Sequence, residues 1–326
     1  MKRGAGSMGT GPAVFGGSPC MPLLRGHYPQ PSWTGSTSEQ PNAPMTMVQP
    51  VDLNGMELKA TSYEVDGHVA VVTLNRPHRH NAWTGRMHAE YRACLAEADS
   101  DPNVRAAVVT GAGTTFCVGA DTDALAKHAE KERYDDGLHE VLANPGYGLD
   151  PTFDHHFAWH FELRIPVIAA INGACAGVGF VLACYADIRF VAGDAKLTTA
   201  ASKIGIPAEF GLSWLLPKLI GLTRANDLLL SSRVILGTEA ESLGLVNAAM
   251  PRSDVLPYAM NYARLLSEQV SPLAVQAAKR QIARDLIRFD LGASIDEAEV
   301  LMSALMGGQE YREGVAALRE KRPPVF

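Results

Sequence analysis

Residues 172–187, NGACAGVGFVLACYAD, carry three closely spaced glycines, Gly173, Gly177 and Gly179, and scarcely a polar side chain before Asp187. Chemistry in this stretch therefore has to come from the backbone. A helix that follows a strand leaves its first N–H groups without intrahelical partners, and small residues let a carbonyl oxygen approach them. Donors of this kind stabilise a negative charge as it develops. The same small residues also allow a helix to pack tightly on a sheet, so this stretch alone leaves both interpretations open.

Nucleotide-binding motifs do not explain these glycines. Leu182 stands where the motif G-x-G-x-x-G needs its third glycine, and the G-K-[ST] of a P-loop is absent. A second small-residue loop, AGTTFCVGAD at 112–121, leaves another predicted strand. Two such loops on neighbouring strands can each direct one N–H group at the same oxygen, as stabilisation of an enolate requires. The pair of loops therefore favours an oxyanion site.

Glu209 is the strongest acid/base candidate. It lies in the apolar segment IPAEFG, and desolvation raises the pKa of a carboxyl group toward the range that is useful for proton transfer. Asp121, which ends the second loop, is predicted to be structural or to lie beside the cofactor. His155 and His156 are adjacent and would diverge on a helix, so no metal site is predicted.

The elements that must position these residues are strands alternating with helices. The glycine stretch is predicted to be a helix, and from Leu212 onward the pattern is mostly helical, with Thr238 as an N-cap candidate. Strands separated by helix-length segments indicate βαβ units, an α/β fold and a covered sheet. Four short Val- or Ile-containing runs are predicted to be strands: 68–75, 105–111, 166–173 and 187–193.

Several of these motifs together resemble the crotonase superfamily, the enoyl-CoA hydratases and isomerases. The resemblance implies an α/β crotonase-like spiral of ββα units with a C-terminal helical region. It also implies a coenzyme A thioester as substrate, no bound cofactor besides that coenzyme A, and a homotrimer or dimer of trimers. It covers roughly residues 57–326, in the family's order, and rests on four segments: LNRPHRHNAW, FCVGAD, IPVIAAINGACAGVGFVLACYADIRF and EYREGVAALREKRPPVF.

By motif position, the resemblance assigns the oxyanion donors to the backbone N–H groups of Ala120 and Val178. Val178 replaces the family's usual glycine, but a backbone donor survives that change. Contacts with coenzyme A are expected from four charged residues: Arg76, Arg79, Asp121 and Lys279.

The chain departs from the hydratases at both of their catalytic glutamates, which correspond here to Val181 and Ala201. Glu209 instead resembles the lone glutamate of the peroxisomal-type 3,2-enoyl-CoA isomerases, with a similar spacing from Gly205. Moving a double bond needs one base, so isomerisation is favoured, while hydration through Glu209 and an unseen partner stays open. The alternative is a non-catalytic acyl-CoA binding protein that has lost the hydratase carboxylates.

Composition limits the remaining classes. The formal net charge of -6 argues against a general nucleic-acid surface, and no uninterrupted apolar stretch reaches the ~18 residues of a membrane span. Five cysteines without a CxxC pair indicate reduced thiols in a cytoplasmic protein, with Cys175 and Cys184 expected in the core.

The chain is predicted to have three parts. Residues 1–55, rich in Gly, Pro and Ser, are predicted to be a disordered or leader segment. Residues 56–255 form the α/β core, and residues 256–326 form a helical region for trimerisation that also covers the acyl-CoA pocket. Within 122–165, a Gly/Pro-rich part is expected to form a loop over the same pocket.

Overall fold

The computed structural model describes Leu53 and residues 55–131 and 149–326. The predicted leader lies outside the described residues except for Leu53 and Gly55, and so do residues 132–148 of the segment expected to cover the pocket. In chain order, the strands are β1 (Thr61–Asp66), β2 (Val69–Leu74), β3 (Ala106–Gly111), β4 (Thr115–Cys117), β5 (Val167–Ile171), β6 (Ala174–Ala176), β7 (Ile188–Ala192), β8 (Lys196–Thr198), β9 (Ile235–Leu236) and β10 (Ala248–Met250). The α-helices are α1 (Gly85–Ser100), α2 (Thr122–Lys131), α3 (Val178–Tyr185), α4 (Leu212–Ile220), α5 (Leu222–Ser231), α6 (Gly237–Ser242), α7 (Arg252–Gln269), α8 (Pro272–Ile287), α9 (Leu291–Met306) and α10 (Gln309–Glu320).

The larger sheet has six strands in the order β1-β2-β3-β5-β7-β10. β1 pairs with β2 in antiparallel fashion, and the other neighbours are parallel. The strands β3 and β5 are buried along their whole length, which explains their continuous apolar sequence. The four strands predicted from sequence are confirmed as β2, β3, β5 and β7.

A second sheet of four very short strands, in the order β4-β6-β8-β9, carries the glycine stretch. The prediction of one helix there is wrong in part, because Ala174–Ala176 forms β6 and the helix begins only at Val178. The backbone of β4 pairs with β6 through Thr115 and Cys117, and a three-residue strand has no periodicity that a sequence can reveal.

The C-terminal third is helical, as predicted. α7 spans residue 255, the predicted boundary between the α/β core and the helical region. It packs against β3, β5 and β7, so it forms part of the layer that covers the larger sheet. Thr238 lies inside α6, whose N-cap is Leu236, so the predicted cap is wrong. Trimerisation through residues 256–326 stays a prediction.

Candidate active site

The two predicted oxyanion loops touch each other through two glycines. β4 and β6 run parallel and side by side, and both loops leave the same end of that pair. Gly119 and Gly177 have φ values of 99° and 49°, in the region that favours glycine. A Cβ atom on Gly177 would lie 3.5 Å from the Cα of Gly119, so the two backbones are in contact. The residues that follow, Ala120 and Val178, therefore emerge next to each other.

The amides of these two residues have no acceptor among the described residues, whereas their neighbours are engaged. The N–H of Gly177 donates to the carbonyl of Thr198 at 3.1 Å, and Val178 is the first residue of α3. Around Ala120, the N–H of Trp83 donates to the Gly119 carbonyl at 2.7 Å, and the N–H of Asp121 donates to the Trp83 carbonyl at 3.0 Å. The arrangement brings the two predicted donors together and leaves both available.

Tight packing behind the loops fixes their positions. Gly179, in the first turn of α3, lies directly against β4. A Cβ atom there would overlap the carbonyl oxygen of Cys117 and lie 2.7 Å from its Cβ atom. Cys175 and Cys184 are fully packed in this core, as predicted, and burial raises the pKa of the Cys184 thiol to about 12. The start of α3 cannot shift without moving β4.

Glu209 lies on the loop between β8 and α4 and is half-buried. Burial raises the pKa of its carboxyl group above the ordinary 4.5, and no basic side chain of the described residues pairs with it. Tyr185, the last residue of α3, donates its hydroxyl to the Phe210 carbonyl at 2.7 Å. One helix therefore presents an amide at its first residue and holds the Glu209 loop at its last.

Arg76, Arg79 and Asp121 form one ion-pair cluster. Arg76 and Arg79 reach the two oxygens of Asp121 at 3.0 Å and 2.8 Å, and Arg79 also contacts Asp123 at 2.9 Å. The hydrogen bond from Arg79 lowers the pKa of Asp121 to about 2. The cluster fastens the loop after β2 to the loop that carries Ala120. The Arg79 side chain stays 39% exposed, and a contact of these residues with coenzyme A stays a prediction.

Comparison with known proteins identifies relatives of this chain. A family model described as enoyl-CoA hydratase/isomerase matches residues 64–326. The chain belongs to this family. The assignment confirms the predicted superfamily.

Individual relatives agree with the assignment. A probable enoyl-CoA hydratase of Rhodobacter capsulatus is 32% identical over 83% of this chain and 99% of its own length. The 1,2-epoxyphenylacetyl-CoA isomerase of Escherichia coli is 31% identical over 80% of this chain and 96% of its own. The crystal structure of a probable enoyl-CoA hydratase/isomerase from Mycobacterium abscessus matches with a TM-score of 0.71 at 31% identity, over 82% of this chain and 98% of that one. These likenesses confirm the crotonase-like α/β fold class.

Within this enoyl-CoA hydratase/isomerase fold, the two positions that the sequence resemblance matches to the hydratase glutamates are apolar. Val181 and Ala201 are buried, at 1% and 5% exposure. Neither side chain can transfer a proton. Glu209 therefore stays the acid/base candidate, as in the sequence analysis.

Lys279 lies apart from the other predicted site residues. Its ammonium group pairs with the carboxylate of Asp187, which also accepts the Val167 N–H at 2.7 Å. These contacts lie where β5 and β7 begin. The amide loops lie beyond the opposite end of these strands. The two places are therefore separated by at least the length of a strand, and four residues of strand span about 13 Å. Asp187 links the starts of two strands to α8, and a nucleotide contact of Lys279 stays a prediction.

Sequence reasoning missed a buried aromatic group beside the amide loops. The Trp83 ring lies 5.6 Å from Phe157 and 5.7 Å from Tyr91. The Tyr91 hydroxyl lies 2.8 Å from His160 Nε2, while His160 Nδ1 lies 2.6 Å from the Phe157 carbonyl. Nδ1 must therefore carry the proton, and burial lowers the pKa of His160 to about 3, so the ring stays neutral. Tyr91 and His160 are 69 residues apart, and no local pattern links them.

Within residues 55–131 and 149–326, His, Cys, Asp and Glu side chains do not assemble in groups of three or more that could hold a metal ion. The described helices include none that is both long enough and apolar enough to span a membrane.

Proposed function

We propose that the chain isomerises the double bond of an enoyl-CoA thioester. The thioester oxygen accepts hydrogen bonds from the amides of Ala120 and Val178. The Glu209 carboxylate removes a proton from C2 of a 3-enoyl thioester, and the electron pair moves into the carbonyl to give an enolate held by the two amides. The protonated Glu209 then returns the proton to C4, and the double bond ends between C2 and C3.

The single observation that carries this proposal is the isolation of Glu209. Its carboxyl group is half-buried, has a raised pKa and has no basic partner among the described residues, as a base that shuttles one proton requires. Hydration needs a second group to position and activate water, and buried Val181 and Ala201 occupy the corresponding hydratase positions. Isomerisation is therefore the better-supported reaction.

The names of the relatives include a probable hydratase and an isomerase of an epoxide thioester at nearly the same identity, and neither name specifies the movement of a double bond. They support a coenzyme A thioester as the substrate class. We further infer a homotrimer or dimer of trimers in the cytoplasm. Exposed apolar side chains on α9, such as Leu291 at 77% and Val300 at 69% exposure, support assembly through the C-terminal helices.

A second candidate is a non-catalytic acyl-CoA binding protein. It is favoured by the apolar residues at positions 181 and 201, because a protein that only binds has no use for carboxylates there. It would keep the two amides and the pocket. It predicts binding of saturated and unsaturated thioesters without conversion of either.

Replacement of Glu209 by Gln separates these candidates. We expect isomerisation of 3-enoyl to 2-enoyl thioesters to fall by about 10³-fold, since the base is lost and the shape is kept. Binding of a saturated acyl-CoA, measured by calorimetry, should be unchanged. The matched control is Glu241→Gln, an exposed glutamate on α6, which should keep the wild-type rate.

Three outcomes are informative. Wild-type turnover by the Glu209→Gln variant would exclude the proposed base. Binding without turnover of any thioester by the wild-type protein would favour the binding protein. Formation of a 3-hydroxyacyl thioester from a 2-enoyl thioester would favour hydration.

A further inference from the structure

Next to the Glu209 loop lies a cavity of about 350 Å³ whose wall is unusually aromatic. Ten of the described residues line it, and five of these are Phe, Tyr or Trp, although such residues make up only 7% of the chain. These ten lining residues include no Val, Leu, Ile or Met. The five aromatic lining residues are Phe153, Phe161, Tyr185, Phe210 and Trp214.

The cavity adjoins the catalytic candidates along a continuous row of rings. Phe210 lines the cavity and directly follows Glu209. Its ring lies 5.3 Å from Phe157, and Phe157 lies 5.6 Å from Trp83, whose backbone bonds flank Ala120. The packed rings therefore extend from Trp83, beside the amide loops, to the wall of the cavity.

The cavity lies some distance from the amides that are proposed to bind the thioester. Tyr185 in its wall is seven residues along α3 from Val178, which is about 10 Å along the helix axis. A group that reaches the cavity must therefore be carried several bonds away from the thioester carbonyl.

Another cavity of the same chain shows that this lining is not a general property of its pockets. A cavity of about 420 Å³ between α8 and the start of β7 is mainly aliphatic, with Leu266, Ile282 and Leu286 in its wall. Straight hydrocarbon chains pack well against such branched side chains. Aromatic rings gain additional energy from offset or edge-to-face contacts with other rings.

We propose that the aromatic cavity selects enoyl-CoA thioesters whose acyl group ends in an aromatic ring. This inference rests on the proposed function, because it makes the cavity the distal end of the same substrate site. An apolar cavity of about 150 Å³ already admits benzene, so this one has room for a single or fused ring. Exposed Thr152 and His155 line it as well, and they let a larger substituent reach solvent.

Trp214 is the residue that tests this selection. It lies on α4, is 40% exposed, and its ring lies 4.5 Å from the ammonium group of Lys218. Substitution there is less disruptive than at fully buried Phe153. Trp214→Leu removes the ring, and Trp214→Phe keeps one. The matched control is Phe289→Leu, an exposed aromatic that lines neither cavity.

The experiment measures binding by calorimetry with two saturated thioesters of equal carbon number. One is a six-carbon acyl chain that ends in a phenyl ring, and the other is a straight twelve-carbon chain. The wild-type protein should bind the phenyl compound about 3- to 10-fold more tightly. Trp214→Leu should abolish this preference, while Trp214→Phe and Phe289→Leu should retain it. Thermal melting confirms that each variant is folded.

The outcomes separate this inference from the proposed function, because saturated thioesters cannot be isomerised. Equal affinities of the wild-type protein, or a preference for the straight chain, would overturn the inference and leave the Glu209 assay unaffected. Trp214→Leu should leave the affinity for free coenzyme A unchanged. An equal loss of affinity for coenzyme A and for both thioesters would mean that the adenine ring occupies the cavity, and would also overturn the inference. A phenyl preference that survives in Trp214→Leu would place the ring elsewhere.

Discussion

The two halves of the candidate site are built in different ways. The half that is proposed to bind the thioester oxygen consists of backbone, at the contact of Gly119 with Gly177, and its proposed donors belong to an alanine and a valine. The half that is proposed to move the proton depends on one side chain, Glu209, on a loop that the hydroxyl of Tyr185 links to α3.

Because of this difference, the two halves place different requirements on the sequence. The backbone half tolerates changes of side chain, as Val178 in place of the family's usual glycine illustrates, but it depends on close packing. The proton-transfer half tolerates changes in the surrounding loop but loses its chemistry with one substitution. Each half should therefore be most sensitive to a different kind of substitution.

The largest effect in the backbone half is expected from Val178→Pro. Proline removes the N–H group, and it is tolerated at the first position of a helix, where that group has no intrahelical partner. We expect turnover to fall by about 10²- to 10³-fold, as for loss of one oxyanion donor, with little change in melting temperature. Steady-state kinetics and thermal melting measure the two effects.

Val178→Ala is the matched control, because it changes the side chain and keeps the N–H group. Its rate should stay close to that of the wild-type protein. A folded Val178→Pro protein with undiminished turnover would show that this amide does not hold the substrate oxygen.

A smaller effect is expected from Gly179→Ala. The added methyl group overlaps the Cys117 carbonyl, so α3 and β4 must separate, which costs about 1–3 kcal/mol of the free energy of unfolding. Turnover should fall by up to about 10²-fold, since small displacements of catalytic groups are costly. Denaturant unfolding and kinetics measure both.

Gly314→Ala provides the comparison, because the nearest atom to a Cβ there is 3.9 Å away and the residue lies in α10. That variant should keep its rate and be slightly stabilised, since alanine favours helix more than glycine. If Gly179→Ala proved equally harmless, the packing behind the amides would not matter.

The smallest effect concerns pH and tests the proton-transfer half. Glu209 must be ionised to act as a base, so kcat/KM should decline as pH falls through a midpoint above 4.5, the ordinary glutamate value. Burial destabilises the ionised folded form, and this cost disappears when the group is protonated at low pH. Glu209→Gln should therefore leave stability unchanged or slightly raised at neutral pH. An acidic limb at or below pH 4.5 would contradict this account.

The sequence predicted the parts of the fold that have a period or a motif. Val-rich runs predicted the four long buried strands. The glycine stretch and its companion loop favoured an oxyanion site, and the resemblance assigned its donors to Ala120 and Val178. The residue pattern after Leu212 predicted the C-terminal helices, and the resemblance supplied the family. Glu209 was found because an isolated carboxylate in an apolar segment is a local signal.

Other features depend on residues far apart in the chain, and no local pattern reveals them. β4 and β6 are three residues long, and each is a strand only because its backbone pairs with that of a neighbouring strand. The ion pair of Lys279 with Asp187 joins residues 92 apart, and it placed Lys279 away from the amide loops. The aromatic cavity likewise gathers Phe153, Tyr185 and Trp214 from three separate segments.

None of the strands in the four-stranded sheet exceeds three residues, and Ala120 and Glu209 each lie between one of these strands and the α-helix that follows it. An insertion or deletion in one loop changes the contour offered to the substrate and leaves the pairing of the neighbouring strands intact. Proteins with this architecture can therefore evolve a different thioester reaction through changes in one loop, while the core stays the same.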